Sequence, residues 1–256
     1  MAGSSTVVAG SSIAASSTAA LSSQAAGRAC TYTVTNTTYT GAGTLACAEK
    51  TYKTVTMGTQ VWLAENLNFG TKVAGSAEQT DATNASAQKY CYLDSDVNCT
   101  TYGGLYQWHT VMALPYSCNS TITTTTSALP CRTSAVHRGI CPEGWHVPTQ
   151  AEWATLDSWT DTNNGGATND EGTSLKSTNL WTSGAGTDAY GWGGLPAGHR
   201  YNGSFGDQGY GGYWWSASET DATNAWSRNL GLGYAYLSEN GDDKSNGGFS
   251  ARCLKD

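Results

Sequence analysis

The strongest local signal in the chain lies in residues 139–153, which read Gly139-Ile140-Cys141-Pro142-Glu143-Gly144-Trp145-His146-Val147-Pro148-Thr149-Gln150-Ala151-Glu152-Trp153. Thr149 and Glu152 have the spacing of a capping box, in which each side chain accepts a hydrogen bond from the other residue's backbone N–H. Trp153, Leu156 and Trp159 then fall on one face of a helix. The sequence therefore predicts a helix that begins after Thr149 and packs its apolar face on a core.

Short strand patterns lie on both sides of this helix. Before it, residues 52–63 predict two strands around a turn at Gly58, and after Leu175 three more strands are predicted, at residues 213–218, 225–230 and 249–254. Residues 97–131 contain no charged residue and predict a long loop. With 31 glycines suited to tight turns and only 5 prolines, the sequence predicts an all-β-leaning or α+β fold.

The N-terminal region differs from the rest in composition. Residues 1–29 are almost all Ala, Ser, Gly and Thr, with Arg28 as their only charge. Such a segment buries too little apolar area to fold alone, and two roles stay open, a flexible linker and an extended strand added to a neighbouring subunit. The candidate assembly residues in that strand are Thr6, Val7, Val8 and Ile13.

Two units are predicted after this segment. In residues 30–48 an alternating stretch precedes Gly41 and Gly43, which predicts a β-hairpin closed by a disulfide. Residues 49–256 are predicted to form the globular domain.

Eight cysteines form an even set with no C-x-x-C pair and no histidine at zinc-ligand spacing. This favours disulfides over a metal site, with buried free thiols as the remaining alternative. Spacing favours three sequential pairs and leaves a fourth that closes a long loop: Cys30–Cys47, Cys91–Cys99, Cys118–Cys131 and Cys141–Cys253. Because disulfides persist in oxidising compartments, we expect a secreted, extracellular or cell-surface protein.

Charge and hydropathy exclude several partners. The chain has 13 basic and 20 acidic residues, a net charge of -7, so it offers no basic field for nucleic acid or an anionic membrane. No stretch approaches the roughly 18 consecutive apolar residues of a membrane-spanning helix. Charged residues make up 13 %, about half the share in an ordinary globular domain, which is typical of an extracellular surface.

Seven short motifs in this order resemble the Fibrobacter succinogenes major paralogous domain family of bacterial secreted and surface proteins. They are Val61-Trp62-Leu63-Ala64-Glu65-Asn66-Leu67, Tyr90-Cys91-Tyr92 with Cys99, Tyr102-Gly103-Gly104-Leu105-Tyr106-Gln107-Trp108, Gly139-Ile140-Cys141-Pro142-Glu143-Gly144-Trp145-His146-Val147-Pro148, Leu195-Pro196-Ala197-Gly198, Trp215-Ser216-Ala217-Ser218-Glu219 and Arg252-Cys253. The motifs extend over about 200 residues, and residues 1–48 lie outside them.

Residues 145–149 with Glu152 and Trp153, and residues 248–253, are also similar to the C-type-lectin-like fold of formylglycine-generating enzymes. The resemblance implies a compact α+β domain with small twisted antiparallel sheets, one or two helices and long ordered loops. It also implies that the two ends of the domain lie together. That arrangement agrees with a Cys141–Cys253 bridge. The fold does not settle function, because this scaffold carries lectins, enzymes and structural modules.

A search for catalytic chemistry favours a protein that is not an enzyme. The four histidines, His109, His137, His146 and His199, are scattered, and no metalloprotease, nucleophile-elbow or phosphate-loop motif is present. We interpret His146 as a structural hydrogen-bonding residue. Chemistry of the formylglycine-generating type needs reactive cysteines, whereas all eight here have expected partners, so an enzyme of that type is the least favoured alternative.

Glycan binding is the second function class. Six aromatic residues near one another in sequence are candidates for a sugar-stacking platform: Tyr201, Tyr210, Tyr213, Trp214, Trp215 and Trp226. Their alternative role is a tryptophan core beneath glycine-rich loops.

No cofactor is expected, with calcium as an open alternative. The acidic residues Glu239, Asp242 and Asp243, with Asn240, are the nearest approach to a calcium-binding cluster. The Glu-Pro-Asn signature of calcium-dependent sugar sites is missing. The favoured interpretation places Asp242 and Asp243 on a solvated turn.

The favoured function is that of a secreted or cell-surface structural protein that assembles with copies of itself into a multimer or filament. Low charge lowers the desolvation cost of contact, and abundant Tyr and Trp provide anchors. A carbohydrate-binding adhesin, with polysaccharide as the partner, is the alternative.

Overall fold

The computed structural model describes residues 29–34, 42–80, 86–128, 130–164 and 170–256. The candidate assembly residues Thr6, Val7, Val8 and Ile13 lie outside these ranges. The strands, in chain order, are β1 (Thr31–Val34), β2 (Gly43–Ala46), β3 (Thr51–Met57), β4 (Gln60–Leu63), β5 (Thr71–Lys72), β6 (Gln88–Lys89), β7 (Tyr106–Gln107), β8 (Trp145–His146), β9 (Ala197–Tyr201), β10 (Ser204–Gln208), β11 (Gly211–Glu219), β12 (Asn224–Gly231), β13 (Ser238–Asp243), β14 (Gly247–Phe249) and β15 (Leu254–Lys255). The α-helices are α1 (Asp96–Tyr102), α2 (Trp108–Val111), α3 (Gln150–Asn163) and α4 (Glu171–Leu175). Mostly β structure with a few helices agrees with the predicted α+β class.

A six-stranded antiparallel sheet joins the two ends of the described chain, in the order β1-β2-β3-β4-β15-β8. The predicted turn between β3 and β4 is present, with Gly58 at a φ of 63° that favours glycine. Leu254 of β15 pairs with Trp62 on one side and His146 on the other. The end of the chain is therefore a central strand of this sheet.

The hairpin of residues 30–48 is part of this sheet rather than a separate unit. β1 and β2 pair antiparallel beside the Cys30–Cys47 disulfide, as predicted. However, β2 also pairs with β3 over four residues, from Gly43 with Thr54 to Ala46 with Thr51. The boundary drawn at residue 49 from the sequence thus falls inside a continuous sheet.

The second large sheet has the order β13-β12-β11-β9-β14-β7. The seventh strand, β10, lies off this path and pairs antiparallel with β9. β11, β12 and β13 form an antiparallel meander, and β9 is the parallel neighbour of β11 through Gly198 and Gly212. A two-stranded parallel pair of β5 and β6 lies outside both sheets.

Helix α3 begins where the capping box predicts. Thr149 Oγ1 accepts a hydrogen bond from the Glu152 backbone N–H at 3.3 Å, and Glu152 Oε2 accepts one from the Thr149 N–H at 2.7 Å. Trp153 and Leu156 are buried, and Trp159 stacks edge-on against Tyr190. The helix therefore covers the core with the face that the sequence predicted.

The long loop predicted over residues 97–131 is only partly a loop. α1, α2 and a 3₁₀ helix at Tyr116–Ser120 lie in or overlap this region. The prediction rested on the absence of charged residues from this stretch. Tertiary contacts overrode it, because buried Trp108 and Val111 anchor α2 and the Cys91–Cys99 disulfide closes on α1.

The four disulfides have the predicted pairing, namely Cys30–Cys47, Cys91–Cys99, Cys118–Cys131 and Cys141–Cys253. The last closes a loop with a sequence separation of 112 residues. In the chain-entropy model such a loop is worth about 4–5 kcal/mol. Several disulfides together indicate an oxidising, extracellular compartment.

Buried cations hold the loops onto the two sheets. Arg252 is fully buried and donates to Asn66 Oδ1, Leu63 O, Trp192 O and Gly193 O at 2.7–2.8 Å. Its guanidinium lies 4.1 Å from the ring centroid of Trp192, and burial lowers its pKa to about 9. One side chain thus ties the end of the chain to loops far away in sequence.

Two further cations repeat this arrangement over other aromatic rings. Arg200 lies over Tyr90 at 4.8 Å and pairs with Glu78, while Lys244 lies over Trp108 at 4.8 Å and pairs with Glu219 at 2.7 Å. All three of these cations are at most 1 % exposed. Their donors satisfy backbone oxygens of the loops, which fixes those loops in one conformation.

Candidate binding surface

Two of the six predicted platform residues are buried, which corrects the prediction. Trp214 and Trp215 of β11 are both 0 % exposed, and their indole N–H groups donate to Asn66 Oδ1 and Tyr106 O at 2.8 Å. Adjacent strand residues point to opposite faces, so both are buried only because this part of the sheet is covered on both sides. Neither ring presents a face to a sugar.

The other platform residues are separated by the geometry of the sheet. Tyr201 is exposed at the β9–β10 turn, whereas Tyr210 is exposed beyond the opposite end of β10. Half-buried Tyr213 stacks on Phe249 and donates its hydroxyl to Asp207 at 2.8 Å. Trp226 is half-buried on β12. The single platform expected from sequence proximity is therefore not formed.

Tyr210 instead belongs to a surface that the sequence analysis missed. We call it the tyrosine patch, and its members are Leu180, Tyr210, Tyr234 and Tyr236. Their exposed fractions are 43 %, 51 %, 53 % and 40 %. The rings of Tyr234 and Tyr236 lie 5.3 Å apart. All four side chains are uncharged, and three carry flat aromatic rings.

Backbone contacts bring the three loops of the patch together. The Leu232 N–H donates to Tyr210 O at 2.8 Å, and the Thr182 N–H donates to Gly209 O at 2.9 Å. A Cβ on Gly231 would lie 2.6 Å from the Tyr234 ring, so this ring rests directly on the glycine backbone. The loops around residues 180, 210 and 234 thus form one surface at the end of the second sheet.

Helix α4 fixes the loop that carries Tyr234 and Tyr236. Glu171 Oε1 accepts from the Leu237 N–H at 2.8 Å, and the Thr173 N–H donates to Ala235 O at 3.1 Å. The Lys176 ammonium donates to Tyr234 O at 2.5 Å and lies over the Trp181 ring. The patch is therefore held by polar contacts from beneath, and its rings are free for contact above.

The acidic residues proposed for calcium are each held by a partner of their own. Glu239 pairs with Arg228 at 2.7 Å, and Asp242 accepts from Ser227 Oγ at 2.5 Å. Asp243 caps a turn, and although burial alone would raise its pKa, hydrogen bonds from Ser245 and Asn246 lower it. Within the described residues no group of three or more His, Cys, Asp or Glu can hold a metal ion. The alternative of a calcium-binding cluster at these residues therefore finds no support in their geometry.

Hydrogen bonds hold the rings of His109 and His137 in place. Burial lowers the pKa of His109 to about 4, and its Nε2 donates to Gln79 O. His137 is likewise buried, its pKa is lowered by burial, and it donates to Met112 O. Half-buried His199 packs edge-on against Tyr213.

His146 links three elements of the fold. Its Nδ1 lies 2.7 Å from Asp256 Oδ1, and its Nε2 lies 2.9 Å from Glu152 Oε1. Burial alone would lower its pKa, but the bonds to both carboxylates outweigh burial and raise it. This geometry agrees with the structural role expected for His146.

Two clefts lie in the described surface. One of about 480 Å³ lies between β2, β3 and the loop around Gly193, with Lys53, Glu65 and Asp188 in its lining. The other, of about 320 Å³, is lined by hydroxyl groups together with His137 and Glu219. Glu219 is engaged there by Lys244 and by Thr123.

β1 and β13, one outer strand from each large sheet, differ in charge. β13 carries Glu239, Asp242 and Asp243, whereas Thr31-Tyr32-Thr33-Val34 of β1 has no charge. Among the described residues β1 pairs only with β2, and no described strand lies along its other edge. Three of its four residues are exposed, and Val34 is 62 % exposed.

No helix in the described ranges combines the length and the apolarity needed to cross a membrane.

Comparison with known proteins identifies the family of the chain. No curated protein and no solved structure matches it. A family model described as the Fibrobacter succinogenes major domain matches residues 55–255, from within β3 to the end of β15. The match contains every strand of the second large sheet, whereas β1 and β2 of the first lie outside it. Because this match covers well over half of the 256 residues, the chain belongs to the Fibrobacter succinogenes major domain family.

Proposed function

We propose that this chain is a secreted or cell-surface structural protein without catalytic activity, and that copies of it assemble by adding a strand to the open edge of β1. The observation that carries the proposal is the uncharged, exposed outer edge of this strand. An unpaired strand edge presents a row of N–H and C=O groups that pairs readily with another chain. Assembly through this edge gives an extracellular multimer or filament.

The contrast in charge between β1 and β13 supports this role. Proteins commonly protect edge strands with charged side chains, and β13 has three acidic residues in six positions. β1 lacks this protection and is pinned to β2 by the Cys30–Cys47 disulfide. A rigid and unprotected edge accepts a partner strand with little further ordering, which lowers the entropic cost of association.

The partner strand in this proposal is the N-terminal segment of a second copy. Residues 1–27 carry no charge and contain Thr6, Val7, Val8 and Ile13, whose β-branched side chains suit an extended strand. In such strand addition, backbone hydrogen bonds give affinity and alternate side chains give specificity. Because the segment directly precedes β1, each copy would both donate and accept a strand.

For the scaffold we propose the C-type-lectin-like fold. Three features support it, namely the capped helix α3, the pairing of β15 with β4 and β8, and the Cys141–Cys253 bridge. Several disulfides suit an exported protein exposed to an unbuffered exterior. With all eight cysteines bonded, the chain has no thiol for chemistry of the formylglycine-generating type.

A matched pair of substitutions tests the assembly site. Val34→Lys places a charge on the β1 edge, and Val97→Lys places the same charge on an equally solvated valine of α1, 72 % exposed. We expect Val34→Lys and a deletion of residues 1–27 to abolish the multimers seen by light scattering and electron microscopy. Val97→Lys should leave them intact. A wild-type chain that stays monomeric, or multimers that survive Val34→Lys, would refute the proposal.

A further inference from the structure

The tyrosine patch lies on loops at the end of the second sheet and takes no part in assembly through β1. Its three rings are between 40 % and 53 % exposed, although rings of this size are usually buried to a larger extent. The loops beneath are held by Glu171, Thr173 and Lys176 of and beside α4. The rings are therefore presented on a preorganised surface, which reduces the ordering cost of binding.

The size of the patch argues against a stable protein interface. A tyrosine side chain offers about 150–250 Å² at most, so four half-exposed side chains present roughly 300–400 Å². A stable dimer needs about 800 Å² from each partner. A ligand that a few aromatic rings can hold fits this area better.

The chemistry of the patch selects among such ligands. The negative faces of the tyrosine rings attract the weakly positive C–H groups of a pyranose ring, while the phenol hydroxyls can bond its hydroxyl groups. Asn179 and Thr182 are exposed beside Leu180 and add further hydrogen-bonding groups. The Lys176 ammonium beneath the patch is 3 % exposed and bonded to Tyr234 O, so it is not available to an anionic sugar.

We propose that the tyrosine patch binds a neutral polysaccharide, with sugar rings stacked on Tyr234, Tyr236 and Tyr210. This site differs from the platform expected from the sequence, since only Tyr210 is common to both. The proposal goes beyond self-assembly and does not depend on it. An assembled array of such patches would bind a long polysaccharide with increased avidity.

Affinity gel electrophoresis of the full chain tests the proposal, with xyloglucan, hydroxyethyl cellulose and galactomannan as neutral probes and polygalacturonate as the anionic probe. We expect retardation by at least one neutral probe and none by polygalacturonate. The double variant Tyr234→Ala/Tyr236→Ala should raise the dissociation constant by about tenfold or more, a change of ~1.4 kcal/mol. Tyr201→Ala is the matched control, because Tyr201 is 46 % exposed but lies away from the patch.

A second variant keeps the test decisive if the double variant folds poorly. Tyr234→Phe retains the ring and removes only the hydroxyl, so it should keep most of the retardation if stacking dominates. The proposal is overturned if none of the neutral probes retards the wild-type chain or if Tyr201→Ala loses as much binding as the double variant. It is also overturned if the double variant changes the oligomeric state by light scattering instead of the retardation, because the patch would then be a protein interface.

Discussion

The interior around Arg252 and the tyrosine patch combine aromatic rings with polar groups in opposite ways. In the interior, a fully buried guanidinium lies against Trp192 and donates to four neutral oxygens. In the patch, tyrosine rings lie outside and the polar contacts lie beneath them, as in the Lys176 bond to Tyr234 O. The first arrangement stabilises the fold, and the second leaves aromatic surface free for a ligand.

The difference follows from the cost of burying polar groups. A buried cation is strongly unfavourable unless its donors are bonded, so Arg252 stays in place only because each of its three nitrogens has an acceptor. A half-exposed tyrosine keeps its hydroxyl in water and incurs no such cost. Substitutions in the two regions should therefore have very different effects on stability.

The largest effect is expected for Arg252→Leu. This change leaves Leu63 O, Trp192 O and Gly193 O without their buried donor, and it removes the cation over the Trp192 ring. We expect the free energy of unfolding to fall by about 3–5 kcal/mol, as when one partner of a buried charged network is lost. Chemical denaturation followed by tryptophan fluorescence measures this loss.

The control for Arg252 is Arg132→Leu. Arg132 is exposed and donates one hydrogen bond, from Nε to Ser127 O. Its removal should change stability by no more than about 0.5 kcal/mol. Equal losses in the two variants would mean that the buried network contributes nothing specific.

Local patterns predicted the helix, the turn and the disulfides, because each depends on residues close in sequence or on cysteine spacing. The capping box of Thr149 and Glu152 and the turn at Gly58 belong to this group. The role of Arg252 was not predictable in this way. Its acceptors lie between 59 and 189 residues away, so the Arg252-Cys253 motif marks the residue without indicating which groups it bonds.

The patch was missed for a related reason. Tyr201, Tyr213 and Trp215 lie near one another in sequence, but strand direction and pairing send them to different parts of the surface and core. Tyr234 and Tyr236 are two positions apart in the segment before β13, and their rings lie side by side on the surface. The spacing of two between these tyrosines was the only feature of the sequence that could have indicated the patch. That the loop of Tyr210 lies beside them is seen only in the fold.

An intermediate effect is expected at His146, which is buried like Arg252 but changes its charge near neutral pH. Its pKa is raised in the folded state by Glu152 and Asp256, so the folded state binds the proton more tightly than the unfolded state. The stabilisation is therefore fully present below the unfolded-state pKa of about 6.5 and is lost as pH rises through the folded-state pKa. We expect about 1–2 kcal/mol, the size of a hydrogen bond to a charged group.

Denaturation curves of wild type and His146→Gln across neutral pH measure this contribution. The difference between the two proteins should shrink as the pH increases. Subtracting the unfolding free energy of the variant from that of wild type at each pH cancels the titration of other groups. One such group is Asp157, whose pKa is raised to about 6 chiefly by burial and by nearby Glu171. A difference that stays constant with pH would show that His146 acts through packing alone.

The smallest effect on stability is expected in the tyrosine patch. Comparing it with the effect of removing a buried ring tests directly whether the patch and the interior differ as described. Tyr234→Ala and Tyr236→Ala each remove a ring that is about half exposed, so each should cost about 1 kcal/mol or less. Trp192→Ala removes a ring that is 0 % exposed and lies against Arg252, and should cost about 3–5 kcal/mol. Denaturation midpoints of the three variants test this order. If a tyrosine variant cost as much as Trp192→Ala, the patch would be part of the core and its rings would not be available to bind polysaccharide.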